Sequence, residues 1–317
     1  MKSVLRGRLA SFTLALVIGA AGALADDGGQ NSRAKQFESD GPSVNAHETN
    51  PIDAAPTQGG TGALSPIINH HGPVMTTPTP YLIWYGNWAQ LNGSDNLAGQ
   101  LLVKDFLFGE NNSPYFKINT TYGASGSVGG IGGETTVNAA ARSRLSDNGV
   151  FSVVSNAITN HKLPLDSNGV YFVITSSDIA KSGFCTQYCG WHTRGTVGGT
   201  DIKYSFVGNA NRCLNACAAQ TVGPNGNAGV DGMLSVIAHE LQEATSDPDL
   251  NAWYDASGNE NADKCAWTFG QNQTLGANGA YYNMSLPAVS GGTRNYLIQR
   301  NLSAIDNKCY VSLNGGQ

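Results

Sequence analysis

The residues best suited to chemistry lie in one segment, residues 230–248, which reads VDGMLSVIAHELQEATSDP. On a helix of about 100° per residue, its apolar residues form one stripe: Val230, Leu234, Ile237, Leu241 and Ala244. His239 and Glu243 fall on another face, where their side chains stack one turn apart. Imidazole nitrogen and carboxylate oxygen both ligate zinc, and Glu240 beside them is a candidate general base.

This spacing resembles the zincin motif H-E-x-x-H, in which two imidazoles bind zinc and the glutamate is the general base. Glu243 stands where the second histidine would be. Zinc accepts a carboxylate there, although a carboxylate-rich site can prefer another metal. Further ligands must come from elsewhere, and the candidates are Glu260, Asp263 and His192. In one zincin class a Glu about twenty residues past the helix is the third ligand, which Glu260 or Asp263 could imitate.

Three alternatives stay open at this level. The polar face of the helix could simply be solvated surface. Calcium could be bound instead by a set of oxygen ligands, although their spacing does not match an EF-hand: Asp247, Asp249, Asp255, Glu260 and Asp263. Paired carboxylates for glycoside hydrolysis depend on a spatial separation that sequence does not show. No G-x-S-x-G elbow or P-loop occurs.

The elements around this helix indicate an α/β or α+β fold, a mixed sheet with flanking helices and a loop-rich, disulfide-bonded C-terminal part. Strands are expected at residues 81–85, 115–118, 135–140, 169–175 and 202–207. The strand at 169–175 is β-branched and aromatic throughout, which is typical of a central strand. Asp95 is a candidate helix cap, and Asp147 is expected to begin a second helix.

The N-terminus predicts export. Three basic residues precede an apolar run at residues 9–24, which ends in Ala23-Leu24-Ala25. Residues 1–25 therefore read as a cleaved signal peptide rather than an anchor, which needs about 18 or more apolar residues. Residues 26–75 are expected to be a flexible polar leader, and residues 76–317 a single globular domain.

Composition indicates which binding partners and which redox compartment to expect. The net charge is -5 and only 13% of residues are charged, so nothing favours nucleic-acid binding, and no further segment predicts a membrane span. Six cysteines in an exported chain predict three disulfides of unassigned connectivity: Cys185, Cys189, Cys213, Cys217, Cys265 and Cys309. Zinc held by the two C-x3-C pairs is the disfavoured alternative.

Several motifs in order resemble one family of secreted proteins. They are Tyr85-Gly86-Asn87-Trp88, Gly183-Phe184-Cys185-x3-Cys189-Gly190-x-His192, Tyr204-x2-Val207-Gly208-Asn209, Cys213-x3-Cys217-Ala218 and Pro224-Asn225-Gly226-x2-Gly229-Val230-Asp231-Gly232-Met233. Over about residues 81–309 the chain is similar to the exordium, or phosphate-induced protein 1, family. That resemblance implies an extracellular, cell-wall-associated protein and brings no established enzymatic activity.

The resemblance is to microbial-type members, which carry H-E-L-x-E followed by W-x-D…G-x-E…D-x-C. The second pattern is matched by Trp253, Asp255, Gly258, Glu260, Asp263 and Cys265. It implies a metal site that is intact here and lost in plant members. Two hypotheses follow. One is a secreted zinc metalloprotease that acts on peptides, and the other is a non-catalytic extracellular or wall-associated protein with a structural ion site or none.

Overall fold

The computed structural model describes residues 65–313; the predicted signal peptide and most of the predicted leader lie outside this range. The helices are α1 (Leu97–Glu110), α2 (Asp147–Thr159), α3 (Leu214–Cys217) and α4 (Ala228–Ser246), with 3-10 helices at Phe116–Tyr122, Ala210–Arg212 and Asp263–Cys265. The strands are β1 (Ile68–Asn69), β2 (Thr79–Tyr85), β3 (Gly133–Val137), β4 (Arg144–Leu145), β5 (Gly169–Thr175), β6 (Ala180–Lys181), β7 (Gly190–Val197), β8 (Thr200–Val207), β9 (Trp253–Tyr254), β10 (Thr274–Leu275), β11 (Tyr281–Tyr282), β12 (Met284–Pro287), β13 (Thr293–Tyr296), β14 (Asn301–Ser303) and β15 (Lys308–Tyr310).

A five-stranded mixed sheet in the order β3-β2-β5-β8-β7 forms the centre of the fold. The first four strands are parallel, and β7 runs antiparallel to β8 at one edge. Every residue of β5 is buried, which confirms the central strand expected at residues 169–175. The remaining strands form two-stranded ribbons, most of them in the loop-rich C-terminal third. The expectation of a mixed α and β architecture is confirmed.

Helices cover both faces of the sheet at β7. Alternate residues of a strand face opposite sides. A Cβ placed on Gly190 would lie 2.5 Å from Val236 Cγ1 of α4, whereas one on Gly195 would lie 2.6 Å from Phe151 of α2. The two glycines therefore lie on opposite faces of β7, and His192 shares the face of Gly190, toward α4.

Helix α4 is buried on all sides. The apolar stripe predicted from its sequence is fully buried, and so is the face that carries His239, Glu240 and Glu243. Helix α1 and the 3-10 helix Phe116–Tyr122 pack against it in addition to β7 and β8. A solvated polar face, one of the alternatives open from the sequence, is therefore excluded.

Two local expectations are wrong. Residues 115–118 were expected to form a strand, but Phe116–Tyr122 is a 3-10 helix that ends at Gly123, whose φ is +100°. Its buried residues, Phe116, Ile118, Asn119 and Tyr122, follow a helical spacing that a four-residue window cannot reveal. Helix α1 is capped by Asn96, whose side chain accepts a hydrogen bond from Gly99 N, and not by Asp95.

The carboxylate of Asp95 is buried and joins three loops instead. It accepts hydrogen bonds from Ser177 N at 3.1 Å, Gln90 Nε2 at 3.0 Å and Asn209 Nδ2 at 2.6 Å. The residue that caps α1 is therefore one position later in the chain than expected. Helix α2 begins at Asp147 as expected, with Ser146 as its cap.

Three disulfides pair all six cysteines: Cys185–Cys213, Cys189–Cys217 and Cys265–Cys309. This confirms the disulfide prediction and overturns the thiolate zinc alternative. The two C-x3-C pairs are linked to each other, which joins the chain before β7 to the segment before α4. None of the helices within residues 65–313 is long and apolar enough to cross a membrane.

The folded part extends into the predicted leader. Residues Ile68 and Asn69 form β1, which pairs with β9, and the side chains of Ile67 and Met75 are buried. Residues 65–75 therefore pack against the domain. Their few apolar side chains gave no periodic signal in a polar stretch.

Candidate metal centre

Helix α4 presents the first two candidate ligands. His239 Nε2 lies 3.0 Å from Glu243 Oε1, one helical turn further on. Both side chains are at most 4% exposed, and β7, β8 and α1 pack against this helix. The i, i+4 spacing read from the sequence therefore brings the imidazole and carboxylate together inside the core.

The loop after α4 returns two carboxylates to the same place. Gly258, with a φ of +87°, allows a tight turn in which Asp255 N donates to Asn259 O at 2.9 Å. The turn brings Asp263 Oδ1 to 3.5 Å from His239 Nε2, and Asp263 N donates to Glu243 Oε1 at 3.1 Å. Glu260 is fixed in turn, since its N donates to Asp263 Oδ2 at 3.0 Å.

The edge strand β7 contributes the second histidine. His192 is fully buried; its Nε2 lies 2.9 Å from Glu260 Oε2 and 3.6 Å from Glu243 Oε2. The candidate ligands identified in the sequence thus converge in the fold, because two overlapping groups form, His192–Glu243–Glu260 and His239–Glu243–Asp263. Within each group the ligand atoms lie within 4.8 Å of one another.

These separations fit a metal ion. Ligands about 2.0–2.1 Å from a tetrahedral zinc ion lie roughly 3.3 Å from each other. The nitrogen-to-oxygen distances in the two groups run from 2.9 to 3.6 Å. The donor set of imidazole nitrogen and carboxylate oxygen is also one that zinc accepts, whereas calcium takes oxygen ligands.

Glu240 lies beside the ligands without a hydrogen-bond partner for either carboxylate oxygen among the described residues. It is 1% exposed and faces β7 at Gly190, where a Cβ would lie 2.9 Å from Glu240 Oε1. Because glycine has no side chain, Gly190 leaves room for the Glu240 carboxylate. A buried carboxylate without a hydrogen bond is costly, so a polar or cationic group is expected to face it.

Burial dominates the electrostatics of these carboxyl groups. It raises the pKa of Glu240 and of Glu260 well above the usual value, and it also raises that of Glu243. Neighbouring carboxylates add to each shift, and no lysine or arginine is among the principal neighbours. The cluster must therefore bind either protons or cations.

The two histidines differ in their electrostatic surroundings. Burial lowers the pKa of His192 to about 4, although Glu243 opposes that shift. Burial alone would also lower the pKa of His239, but Glu243 and Asp263 outweigh it and raise the value well above the usual one. A neutral imidazole, as at His192, is the form that ligates a metal.

Gln299 is a site residue that the sequence did not indicate. Its side-chain Nε2 lies 2.6 Å from His239 Nδ1, and its backbone N donates to Ser235 Oγ at 3.1 Å. It reaches α4 from the stretch before β14, 60 residues away in sequence, so no local pattern marks it.

The five acidic residues considered for calcium do not form one oxygen-lined site. Asp249 pairs with Lys203 at 3.1 Å, and Asp255 pairs with Lys264 at 2.7 Å. Asp247 Oδ1 accepts hydrogen bonds from the backbone of Asn251 and Ala252 after the end of α4. Only Glu260 and Asp263 belong to the two candidate ligand groups.

The fold and the cluster define an α+β protein that has three disulfides and a buried histidine–carboxylate centre. The family described as phosphate-induced protein 1 conserved region matches residues 67–311, so the chain belongs to this family. It is 30% identical over 293 residues to Protein EXORDIUM-like 3 of Arabidopsis thaliana, which covers 78% of this chain and 83% of that protein.

Other relatives agree. Protein EXORDIUM-like 5 of Arabidopsis thaliana is 29% identical over 274 residues, covering 74% of this chain and 72% of the relative. Protein PHOSPHATE-INDUCED 1 of Nicotiana tabacum is 31% identical over 105 residues, covering 27% of this chain and 34% of the relative. No solved structure matches the chain significantly. The family resemblance seen in the sequence is thereby confirmed.

Proposed function

We propose that this chain is a secreted metal-dependent hydrolase that acts on peptides outside the cell. In this proposal His239, Glu243 and Asp263 hold zinc, and Glu240 is the general base. The observation that carries it is the buried carboxylate of Glu240, which has no hydrogen-bond partner within residues 65–313 and lies beside the ligand cluster. A purely structural ion site has no need of such a group.

The zinc assignment rests on the donor set. Each of the two overlapping groups combines an imidazole with two carboxylates, and their separations suit a tetrahedral ion. His239 would ligate through Nε2, which requires a proton on Nδ1. The oxygen and nitrogen of the Gln299 amide are exchanged by a flip, and the oxygen-facing orientation accepts that proton.

In this proposal the ion and the side chains would contribute different parts of the reaction. Zinc held by these residues would supply Lewis acidity, which would activate a water molecule as the nucleophile and polarise a carbonyl group. Glu240 takes the proton of the attacking water on its carboxylate, and burial favours its holding that proton until the leaving amine accepts it. Gly190 keeps the space that this carboxylate occupies.

Secretion is supported by two independent features. Three disulfides among the described residues are typical of proteins that fold in an oxidising compartment. The sequence of residues 1–25 has the pattern of a signal peptide. Substrates would then be extracellular peptides or cell-wall components.

A second candidate function is a non-catalytic wall-associated protein with a structural ion centre. The observation in its favour is closure of the site. The five candidate ligands are at most 5% exposed, and they offer more donors than one tetrahedral ion needs. Structural zinc sites are closed in this way, whereas catalytic sites keep one position open.

The substitution Glu240→Gln separates the two functions. We expect the variant to keep its zinc, measured by elemental analysis, and to lose at least about 100-fold in hydrolysis of a quenched fluorescent peptide library, because general-base catalysis contributes about 10²–10⁴-fold. Glu134→Gln is the matched control, since Glu134 is an exposed glutamate paired with Lys104.

Two results would contradict the hydrolase. Peptide cleavage at an unchanged rate in Glu240→Gln would remove the proposed base. Absence of cleavage in the zinc-loaded parent protein, with zinc retained, would favour the structural ion centre.

A further inference from the structure

Glu243 offers each of its two carboxylate oxygens to a different histidine. Oε1 lies 3.0 Å from His239 Nε2, and Oε2 lies 3.6 Å from His192 Nε2. A carboxylate in this position can bridge two metal ions, which in two-metal sites lie about 3.5–4 Å apart.

Each histidine also has its own second carboxylate. Asp263 Oδ1 lies 3.5 Å from His239 Nε2, and Glu260 Oε2 lies 2.9 Å from His192 Nε2. The two groups share Glu243 alone. Each is therefore a three-residue ligand set in its own right, with one imidazole and two carboxylates.

We propose that this centre holds two divalent transition-metal ions bridged by Glu243, one on His239 and Asp263 and the other on His192 and Glu260. The second ion extends the proposed function, which needs only the first. Both ions would be held by residues from three separate elements: α4, β7 and the 255–263 loop.

Charge supports two ions over one. The buried side chains Glu240, Glu243, Glu260 and Asp263 would carry four negative charges if all were ionised. Two divalent cations match that charge, whereas one leaves two carboxylates to be neutralised by protons. Asp247 is a further buried acid near Glu260, and its Oδ1 accepts hydrogen bonds from the backbone N–H groups of Asn251 and Ala252.

Glu240 is an independent sign that a cation faces this region. Its carboxylate is fully buried, has no hydrogen-bond partner among the described residues and interacts electrostatically with His239, Glu243 and Asp263. The hydrogen bonds within the two ligand sets do not involve the Glu240 carboxylate, so they do not compensate its burial.

The test is metal stoichiometry on the intact purified protein. After saturation with Zn²⁺ and removal of loose ions, we expect two equivalents per chain. We expect His192→Ala and His239→Ala each to keep one. His161→Asn is the matched control and should keep two, since His161 lies on an exposed turn where asparagine tolerates its φ of +55°.

A spectroscopic measurement avoids reliance on variants that fail to fold. Replacing zinc with Mn²⁺ in the unaltered protein should give a spin-coupled electron paramagnetic resonance spectrum, because two ions bridged by one carboxylate lie within about 4 Å. An isolated six-line Mn²⁺ spectrum at saturation would overturn the bridge.

The outcomes also distinguish the two proposals. One equivalent of zinc in the unaltered protein, lost in His239→Ala and kept in His192→Ala, would overturn the second ion and leave the proposed hydrolase standing. Less than about a tenth of an equivalent would overturn both.

Discussion

Gln299 is the side chain that orients the His239 ring. Its 2.6 Å contact with Nδ1 directs Nε2 toward Glu243 and Asp263, and the backbone of Gln299 is itself anchored on Ser235 of α4. Partners of this kind set the tautomer and the basicity of a ligating histidine. In the proposed zinc site Gln299 would therefore act on the metal through His239.

We expect Gln299→Met to weaken zinc binding by about 10–100-fold, as loss of such partners commonly does. Gln299→Glu should retain the affinity, because a carboxylate also accepts the Nδ1 proton. The measurement is competition with a chromophoric chelator, beside the melting temperature of the metal-free protein. Gln273→Met is the matched control, since the side chain of Gln273 donates to the backbone oxygen of Gly270 and has no hydrogen bond to the cluster among residues 65–313. Equal affinities in all four proteins would show that Gln299 is merely a packing residue.

At this scale the sequence predicted that His239 and Glu243 of α4 lie side by side, because a helix fixes the distance between residues four apart. Glu260 and Asp263 were candidates because they lie close after the helix in an acidic loop. His192 entered only as one option among several, and the role of Glu243 between two histidines was not visible. That arrangement depends on the position of β7 beside α4, which is tertiary.

At the scale of elements, β7 decides the shape of the centre. No strand was expected at residues 190–197, because the segment GWHTRGTV mixes glycine, basic and apolar residues without clear alternation. The disulfide Cys189–Cys217 fixes its start, and pairing with β8 fixes its register, with His192 opposite Ser205. Helices α1, α2 and α4 were predicted because each has a long apolar period.

Substitution of Gly190 tests the close approach of β7 to α4. A Cβ there would lie 2.5 Å from Val236 Cγ1 and 2.9 Å from both Glu240 Oε1 and Phe206 O. The backbone oxygen cannot move away freely, so Gly190→Ala should destabilise the protein by about 1–3 kcal/mol in urea unfolding. Gly130→Ala, where no atom lies within 4 Å of the new Cβ, should be close to neutral. Similar midpoints for the two variants would contradict the packing described.

The disulfide Cys265–Cys309 holds the loop that carries Glu260 and Asp263. Cys265 ends the 3-10 helix that begins at Asp263, so the bond anchors that candidate ligand to β15. We expect the double variant Cys265→Ala/Cys309→Ala to lose about 2–5 kcal/mol of stability and to bind zinc more weakly. Cys185→Ala/Cys213→Ala should lose comparable stability with little change in zinc affinity. If the two double variants bound zinc with equal affinity, the Cys265–Cys309 bond would not be what positions this loop for zinc binding.

At the scale of the whole molecule, the chain has few charged residues but buries several of them. Beyond the candidate metal centre, Asp105 accepts a hydrogen bond from Arg294 at 2.6 Å, and Asp231 accepts one from Asn225. The mixed fold was predictable from the alternation of strands and helices. The burial of these acids was not predictable, because the sequence does not distinguish a buried aspartate or glutamate from an exposed one. Their partners also come from distant segments of the chain.

Glu110 is the buried acid whose effect on the whole molecule is simplest to isolate. It is fully buried at the end of α1, and neither oxygen has a hydrogen-bond partner among the described residues. Burial raises its pKa from 4.5 to about 8, and the nearby hydroxyl of Tyr115 is also buried. The unfolded chain releases this proton near pH 4.5, whereas the folded chain keeps it until about pH 8. Between these values the unfolded state binds fewer protons, so stability falls as pH rises.

We therefore expect Glu110→Gln, which imitates the protonated acid, to flatten this part of the stability profile. A shift from 4.5 to about 8 corresponds to on the order of 4–5 kcal/mol between pH 4.5 and pH 8. Urea unfolding at several pH values should show the variant gaining on the parent protein as pH rises through this window, with no further gain above pH 8. The histidine–carboxylate cluster is the same in both proteins, so the difference between their profiles isolates Glu110. Exposed Glu134→Gln should follow the parent, and parallel curves for Glu110→Gln would mean that the folded protein already holds Glu110 ionised.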